Sequence, residues 1–192
     1  FMLLYGLWKA RFLAAILAAV QSVMVFYFDI YMARGAVIEN SLFVDQLSVV
    51  MALIIGIIGA LIAIYSPGYM DVFQKNHPDL KERRNYFFFL IYLFISAMFG
   101  LIFSNNLLWL LFFWEVTTLC SFLLIAYRGD DEADRSAFRA LEMNLLGGIA
   151  FSAGIIYLYH TSGLLELDRL IYSPKSFVMI PAVCLAFAGV VK

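Results

Sequence analysis

Three observations predict an all-α integral membrane protein, a polytopic transmembrane helix bundle. Of the 192 residues, 64% are hydrophobic and only 14% are charged, with a mean hydropathy of +0.90, whereas an ordinary soluble domain is roughly 45–50% apolar and about 25% charged. The apolar residues gather into runs long enough to cross a bilayer. Short polar connections separate the runs, and no Ser/Gly-rich linker or low-complexity tract interrupts them, so residues 1–192 read as one transmembrane domain. The net charge of -1 is the small difference between 13 basic and 14 acidic side chains. It points to neither a nucleic-acid partner nor a polybasic binder of lipid surfaces.

A spanning helix needs roughly 20 mostly apolar residues, with about 17 to 25 tolerated. The first candidate, Phe1–Trp8, is short. No basic region precedes it and no small-residue cleavage site follows, so it reads as the tail of a helix and not as a secretory signal. Lys9 and Arg11 separate it from the second span, Phe12–Phe28, and a polar stretch from Asp29 to Asn40 follows. The third span is Leu47–Tyr65, with Asp45 placed just before it where an N-cap belongs. Ala52, Gly56 and Ala60 recur along it at one-turn spacing, as small residues do where helices pack closely in lipid. Ser66-Pro67-Gly68 should end this span.

The fourth span, Tyr86–Phe103, stops at Ser104-Asn105-Asn106, and the fifth is Leu107–Tyr127. Charged residues from Arg128 to Arg135 lead to the sixth, Ala137–Tyr159, where Gly148 and Ser152 make a second small-residue seam or leave room for water beside a polar path. Thr161-Ser162-Gly163 begins the connection to a seventh span from Phe177 onward. That span stops within the apolar stretch AFAGVVK. The expectation is a segment of a longer polypeptide, holding about helices 1 to 7 with the first and last incomplete.

Lys and Arg concentrate on cytoplasmic connections. Lys9, Arg11, Lys75, Lys81, Arg83, Arg84, Arg128, Arg135 and Arg139 lie in or beside the connections after spans one, three and five, against only Arg34, Arg169 and Lys175 in the others. This places the N-terminus outside a cell (plasma) inner membrane and the odd connections in the cytoplasm.

The fifth span, LLWLLFFWEVTTLCSFLLIAY, carries one carboxylate near its middle, Glu115. An ionised acid at the bilayer centre costs about 3 kcal/mol on insertion scales. Glu115 lies roughly 12 Å along the helix from Leu107, near the middle of a core about 30 Å thick. Burial and a neighbouring ammonium act in opposite directions on a carboxyl's hold on its proton, and that competition lets a side chain load and unload one. The alternative is a protonated Glu115 hydrogen-bonded to a neighbouring helix. Thr117, Thr118 and Ser121 form a polar patch on the same helix, able to support a chain of waters or to bond back to helix carbonyls.

Lys192 is the candidate partner, roughly 18 to 22 Å into a last helix that runs in the same direction. It either faces Glu115 or snorkels to the cytoplasmic interface. Glu142 and Asn144 sit about one turn into the sixth span. Glu142 pairs with Arg139 or Arg135 or opens a cytoplasmic route toward Glu115. Tyr159 and His160 mark the outer interface. Cys120 and Cys184 lie in apolar runs and read as packing residues, and neither they nor His77 and His160 show metal-ligand spacing. No catalytic centre is expected on this chain, and any redox cofactor belongs to another.

These residues carry a resemblance. FVDQLSVVMALIIGIIGALIAIYSPGYM resembles the third-helix signature of the antiporter-like membrane subunits of complex I, of energy-converting membrane-bound NiFe hydrogenases and of multi-subunit cation antiporters. NLLWLLFFWEVTTLCSFLLI is similar to their fifth helix, with Glu115 at the signature glutamate. RALEMNLLGG resembles the start of helix six, and GVVK the start of the seventh-helix lysine motif with Lys192 at the lysine.

The resemblance implies an antiporter-like fold of two inverted five-helix repeats, of which only the N-terminal part is present here. It also implies pairing of the helix-five glutamate with the helix-seven lysine, a cytoplasmic half-channel leading to them, and translocation of protons or sodium ions driven by redox energy from partner subunits. Other membrane antiporter-like and small membrane subunits are the implied neighbours. Peripheral hydrogenase or quinone-module subunits would carry the Fe–S clusters and the NiFe or flavin centres. Some complex I members carry a basic residue and an acid where this chain has Leu145 and Gly148. The WEVTTLCSFLL and FRALEMNLLGG wording is closer to the hydrogenase large subunit. Two further readings stand beside a redox-driven translocator such as a hydrogenase or NADH dehydrogenase subunit: a Na+/H+ antiporter subunit without a redox partner, and a passive scaffold.

Overall fold

A computed structural model describes residues 12–32, 41–78, 82–171 and 179–192. Five of its helices are long and apolar enough to cross a membrane. They are α1 (Phe12–Tyr27, continued by a π turn over Phe28–Met32), α2 (Gln46–Asn76), α3 (Arg84–Phe103), α4 (Leu107–Ile125, closed by a 3-10 turn over Ala126–Arg128) and α5 (Asp131–Ser162). A short α6 (Leu167–Ile171) and the apolar α7 (Met179–Val191) complete the all-α bundle. The predicted spans two to six correspond to α1 to α5 and the seventh to α7, while Phe1–Trp8 lies outside the described residues.

Two boundaries correct the sequence reading. Ser66-Pro67-Gly68 does not end the third span, because α2 continues through Pro67 to Asn76. Pro67 has no N–H for the Ala63 carbonyl one turn back, and beside it Ser66 Oγ donates to the Ile62 carbonyl at 2.6 Å. Tyr65, Tyr69, Phe73 and His77 then stack at one-turn intervals, with centroids 6.2, 6.2 and 4.6 Å apart, and Tyr69 also lies against Phe87 of α3. These ring contacts line the helix on both sides of Pro67. The second correction is the start of α5, six residues before the predicted Ala137. Gly129 takes a positive φ of 74°, Asp130 caps the helix by accepting from the Ala133 N–H at 2.7 Å, and acidic residues fill the first turn, where they complement the helix dipole.

The ends of the helices alternate as the sequence implies. Tyr127 meets both Phe73 and Phe87, so the α2–α3 and α4–α5 connections share one end of the bundle. At the other end Ser104-Asn105-Asn106 is more than punctuation, for all three residues are buried. Phe43 N–H donates to the Phe103 carbonyl and Asn105 N–H to that of Ser41, both at 3.0 Å. Leu107 N–H reaches the Leu165 carbonyl and Leu167 N–H that of Asn105, while Asn105 Oδ1 accepts from the Asp168 N–H. This seam satisfies backbone groups that neither helix ends nor lipid could.

The small-residue seam on α2 falls differently from its prediction. Ala60 is exposed, and Gly59 is the buried glycine, so close to α3 that an added Cβ would lie 3.2 Å from Ile95. Gly56 faces the same helix, with Phe99 at 3.8 Å from its would-be Cβ. On α5, Gly147 and Gly154 admit the backbone of α7, and Cys184 packs on Gly154. Cys120 is fully buried, as a packing residue should be.

Two apolar clusters form the core. Phe28, Leu107, Leu111, Phe151, Ile155, Leu158, Leu165 and Ala188 fill the end near the asparagine seam. Ala14, Ala18, Phe122, Ala137, Phe138, Leu141 and Leu145 fill the end near Arg128. Between them, at the levels of Gln21 on α1, Glu115 to Thr118 on α4 and Gly148 on α5, lies a polar layer.

Candidate functional site

Glu115 occupies this layer, half-buried in the third turn of α4. Gln21, 5% exposed in the middle of α1, donates from Nε2 to Glu115 Oε1 at 2.7 Å. Gly148 of α5 makes that meeting possible. A Cβ there would lie 2.8 Å from Glu115 Oε1 and still closer to the Gln21 amide, inside any real carbon–oxygen contact. Gly148, which the sequence offers as a packing seam or as room for water, thus leaves the space into which the carboxylate and amide fit. A cavity of about 390 Å³ opens beside them, walled chiefly by apolar side chains of α1 and α4, with Gln21, Ser22 and Glu115 as its polar lining.

Lys192 reaches the same layer from α7. Its Nζ donates to Thr117 Oγ1 at 2.6 Å, to Thr118 Oγ1 at 2.9 Å and to the Trp114 carbonyl at 2.9 Å, and it stands 4.4 Å from the centre of the Trp114 ring. Thr117 and Thr118 themselves donate back to the Trp114 carbonyl, at 2.8 and 3.1 Å. Of the two readings of these hydroxyls, the structure shows the bonds back to helix carbonyls. Their protons bond back to the helix, and their lone pairs face an ammonium. Ser121, one turn on, donates back to the Thr117 carbonyl at 2.8 Å and takes no part in seating Lys192.

The structure thus assembles Glu115, Lys192, Thr117 and Thr118 at one level, with the charged pair on separate supports. Residues 114, 117 and 118 share a face of α4, and Glu115 is turned about 100° from Trp114. No ion pair joins Glu115 to Lys192 among the described residues, although Lys192 is seated on positions of α4 that neighbour Glu115. Because α5 starts at Asp131, Glu142 stands about three turns into the helix and not one; it is half-buried between buried Leu141 and Leu145, with no ion pair to Arg135 or Arg139 among the described residues. His160 is exposed at the far end of α5. Asp45 takes the capping role, its Oδ1 accepting from both the N–H and the Oγ of Ser48 at 2.6 Å.

Gln21 is the residue that sequence reasoning missed. Its signal is visible in FLAAILAAVQSVMVFYF as the one amide in the middle of an apolar span. A buried amide in lipid needs a partner, and the partner is the mid-membrane acid.

Fold and site together define a polytopic helical membrane protein with an intramembrane layer of acid, amide, hydroxyls and ammonium. Two family models match the chain. One, described as NADH:quinone oxidoreductase/Mrp antiporter, TM, covers residues 104–192, and the other, NADH-Ubiquinone oxidoreductase (complex I), chain 5 N-terminus, covers residues 30–88. Among curated relatives, a Na(+)/H(+) antiporter subunit of Alkalihalophilus pseudofirmus is 33% identical over 157 residues, covering 79% of this chain and 19% of the relative. A Na(+)/H(+) antiporter subunit of Staphylococcus haemolyticus is 34% identical over 131 residues, 68% of this chain and 15% of the relative. NAD(P)H-quinone oxidoreductase subunit 5, chloroplastic, of Adiantum capillus-veneris is 31% identical over 134 residues, 69% and 17% respectively. The chain belongs to the antiporter-like family of membrane subunits. It spans less than a fifth of the length of these relatives.

Proposed function

We propose that this chain is the N-terminal part of an ion-translocating subunit, in which Glu115 is the acid that takes and releases a proton and Lys192 is the charge that decides when. The observation that carries the reading is the polar layer itself: an acid and an ammonium at mid-helix depth, each hydrogen-bonded to a neutral partner, with apolar clusters on either side. An ammonium approaching the carboxyl favours its ionised form, so the proton leaves. When the ammonium withdraws onto Thr117 and Thr118, desolvation favours reprotonation. No net chemistry occurs at the site beyond the proton's arrival and departure, and Glu142, about three turns into α5 from the Arg128 end of the bundle, is the proposed step on a route toward it.

The working context is a multi-pass subunit of the plasma or inner membrane, with the Lys- and Arg-rich end cytoplasmic. Other antiporter-like and small membrane subunits are its neighbours. In the redox-driven reading, an energy-converting hydrogenase or a complex I-like enzyme, the Fe–S clusters and NiFe or flavin centres belong to peripheral partners. The NAD(P)H-quinone oxidoreductase relative supports that reading. The second reading, a Na+/H+ antiporter without a redox partner, is favoured by the two Na(+)/H(+) antiporter relatives. The chains that copurify discriminate the two.

Replacing Glu115 with Gln, and separately Lys192 with Met, in the assembled full-length complex tests the role of both residues. Each should reduce ion transport in membrane vesicles at least about tenfold with assembly intact, the effect of removing a positioned proton-transfer group. Transport at normal stoichiometry in both variants would overturn the proposal.

A further inference from the structure

We infer that Gln21 is a positioning residue for Glu115, holding the carboxylate away from Lys192 so that the acid has two discrete partners. The inference deepens the proposed role of Glu115 and takes its functional meaning from that reading. Its grounds are geometric. Gln21 is buried on α1 with its amide 2.7 Å from Glu115 Oε1. Gly148 leaves no side chain between α5 and this pair, and even a methyl group would collide with both members. Lys192 is satisfied elsewhere, by two hydroxyls and a carbonyl on the adjoining face of α4.

Each charged group therefore has a neutral partner that the other would have to displace. A carboxylate shared between an amide donor and an ammonium donor is a two-state element: the Gln21 state keeps the charges apart and the Lys192 state brings them together. Hydrogen bonds to a charged group are strong enough for the amide to compete. Without Gln21 the first state loses the amide donor that defines it, and the carboxylate falls to the lysine. A purely structural amide would hold α1 to α4 without altering which donor Glu115 uses.

Dicyclohexylcarbodiimide, which attacks protonated carboxyls in apolar surroundings, reads this directly. The experiment measures its rate of attachment to Glu115 by mass spectrometry in the intact full-length complex. Gln21→Met keeps the shape of the side chain and removes the donor. In the otherwise unchanged protein it should slow labelling, because the freed carboxylate pairs with Lys192. In a Lys192→Met background it should speed labelling about tenfold, because a donor that stabilises the carboxylate is lost with no ammonium to replace it. Opposite signs in the two backgrounds support the inference. The same sign in both, or no change, overturns it.

Gly148→Ala, which displaces the pair sterically, should reproduce the Gln21→Met pattern and serves if that variant fails to assemble. Loss of assembly in both would overturn the inference in favour of a packing role. Labelling is read without reference to transport. If Glu115→Gln still transports normally while the labelling signs are opposite, the proposed function fails and the positioning role of Gln21 stands.

Discussion

α2 and α5 are nearly equal in length, yet they meet their surroundings in opposite ways. Of the most apolar stretch of α2, 11% is buried inside the described structure, against 50% for α5. α2 packs chiefly on α3, while α5 packs on α1, α4 and α7. Among the described residues the more apolar helix is thus the less covered one. In water, burial follows apolarity; in lipid the hydrocarbon is as good a solvent for Leu and Ile as a neighbouring helix is, so packing goes to the helices with glycines and polar groups. α5 supplies both, with Gly147, Gly148 and Gly154 at its contacts and Ser152 bonded back to the Gly148 carbonyl at 2.9 Å.

The largest test of this contrast is a matched pair of truncations. Leu145, 1% exposed on α5 beside the Glu115 cavity, should lose about 2 kcal/mol when replaced by Ala, chiefly the contacts forfeited around the new void. Ile64, 77% exposed on α2, should change by no more than about 0.5 kcal/mol on the same replacement. Reversible unfolding of the full-length protein in micelles measures both. Equal costs would mean that α2 is covered as tightly as α5, and the contrast would break.

A smaller effect is expected where the contrast turns polar. Replacing Thr117 and Thr118 together with Val preserves shape and strips Lys192 of two acceptors, leaving the Trp114 carbonyl and ring. The loss should be about 1–3 kcal/mol in the same unfolding measurement. The Ser121→Ala control, whose hydroxyl only bonds back to the Thr117 carbonyl, should fall well short of that. Similar losses in both variants would place the stabilisation in the helix and not in the lysine's seat.

Much of this arrangement was legible in the sequence. Most of the spans, the alternation of ends, the Asp45 cap, the place of Glu115 midway along its helix and the nearness of Lys192 to its level follow from apolar run length, charge counting, capping chemistry and rise per residue. The parts that were not legible depend on which helix stands beside which. Gln21 is a single amide until α1 is known to lie against α4. Gly148 looks like a packing glycine until the carboxylate fills its space. Pro67 is a helix breaker by local chemistry, yet α2 runs through it, with ring contacts from Tyr65 to His77 along the helix and from Tyr69 to Phe87 of α3. Ser104-Asn105-Asn106 reads as a turn because its bonding partners lie near residues 41 and 166, far away in sequence.

The smallest effect concerns the start of α2, where the helix that is least covered among the described residues relies most on its own cap. Asp45 accepts from the hydroxyl and N–H of Ser48, and these bonds hold its carboxyl below the ordinary value of 3.8. A depressed carboxyl contributes its stabilisation above the unfolded-state value and loses it as pH falls through the lower, folded-state value. Hydrogen exchange of the Ser48 amide, corrected for intrinsic rates, should therefore keep its protection down to the ordinary carboxylate range and lose it only on further acidification. Asp45→Asn keeps a competent cap without a titrating group, so its protection should be flat across the same interval. α5 has a capping acid of the same kind in Asp130, likewise held below the ordinary carboxylate value, first by the Ala133 N–H. Its helix is also held by three neighbours, so acid should loosen the first turn of α2 while the rest of α5 stays protected. Equal loosening of the two helices would show that the cap, and not the packing, sets local stability in both.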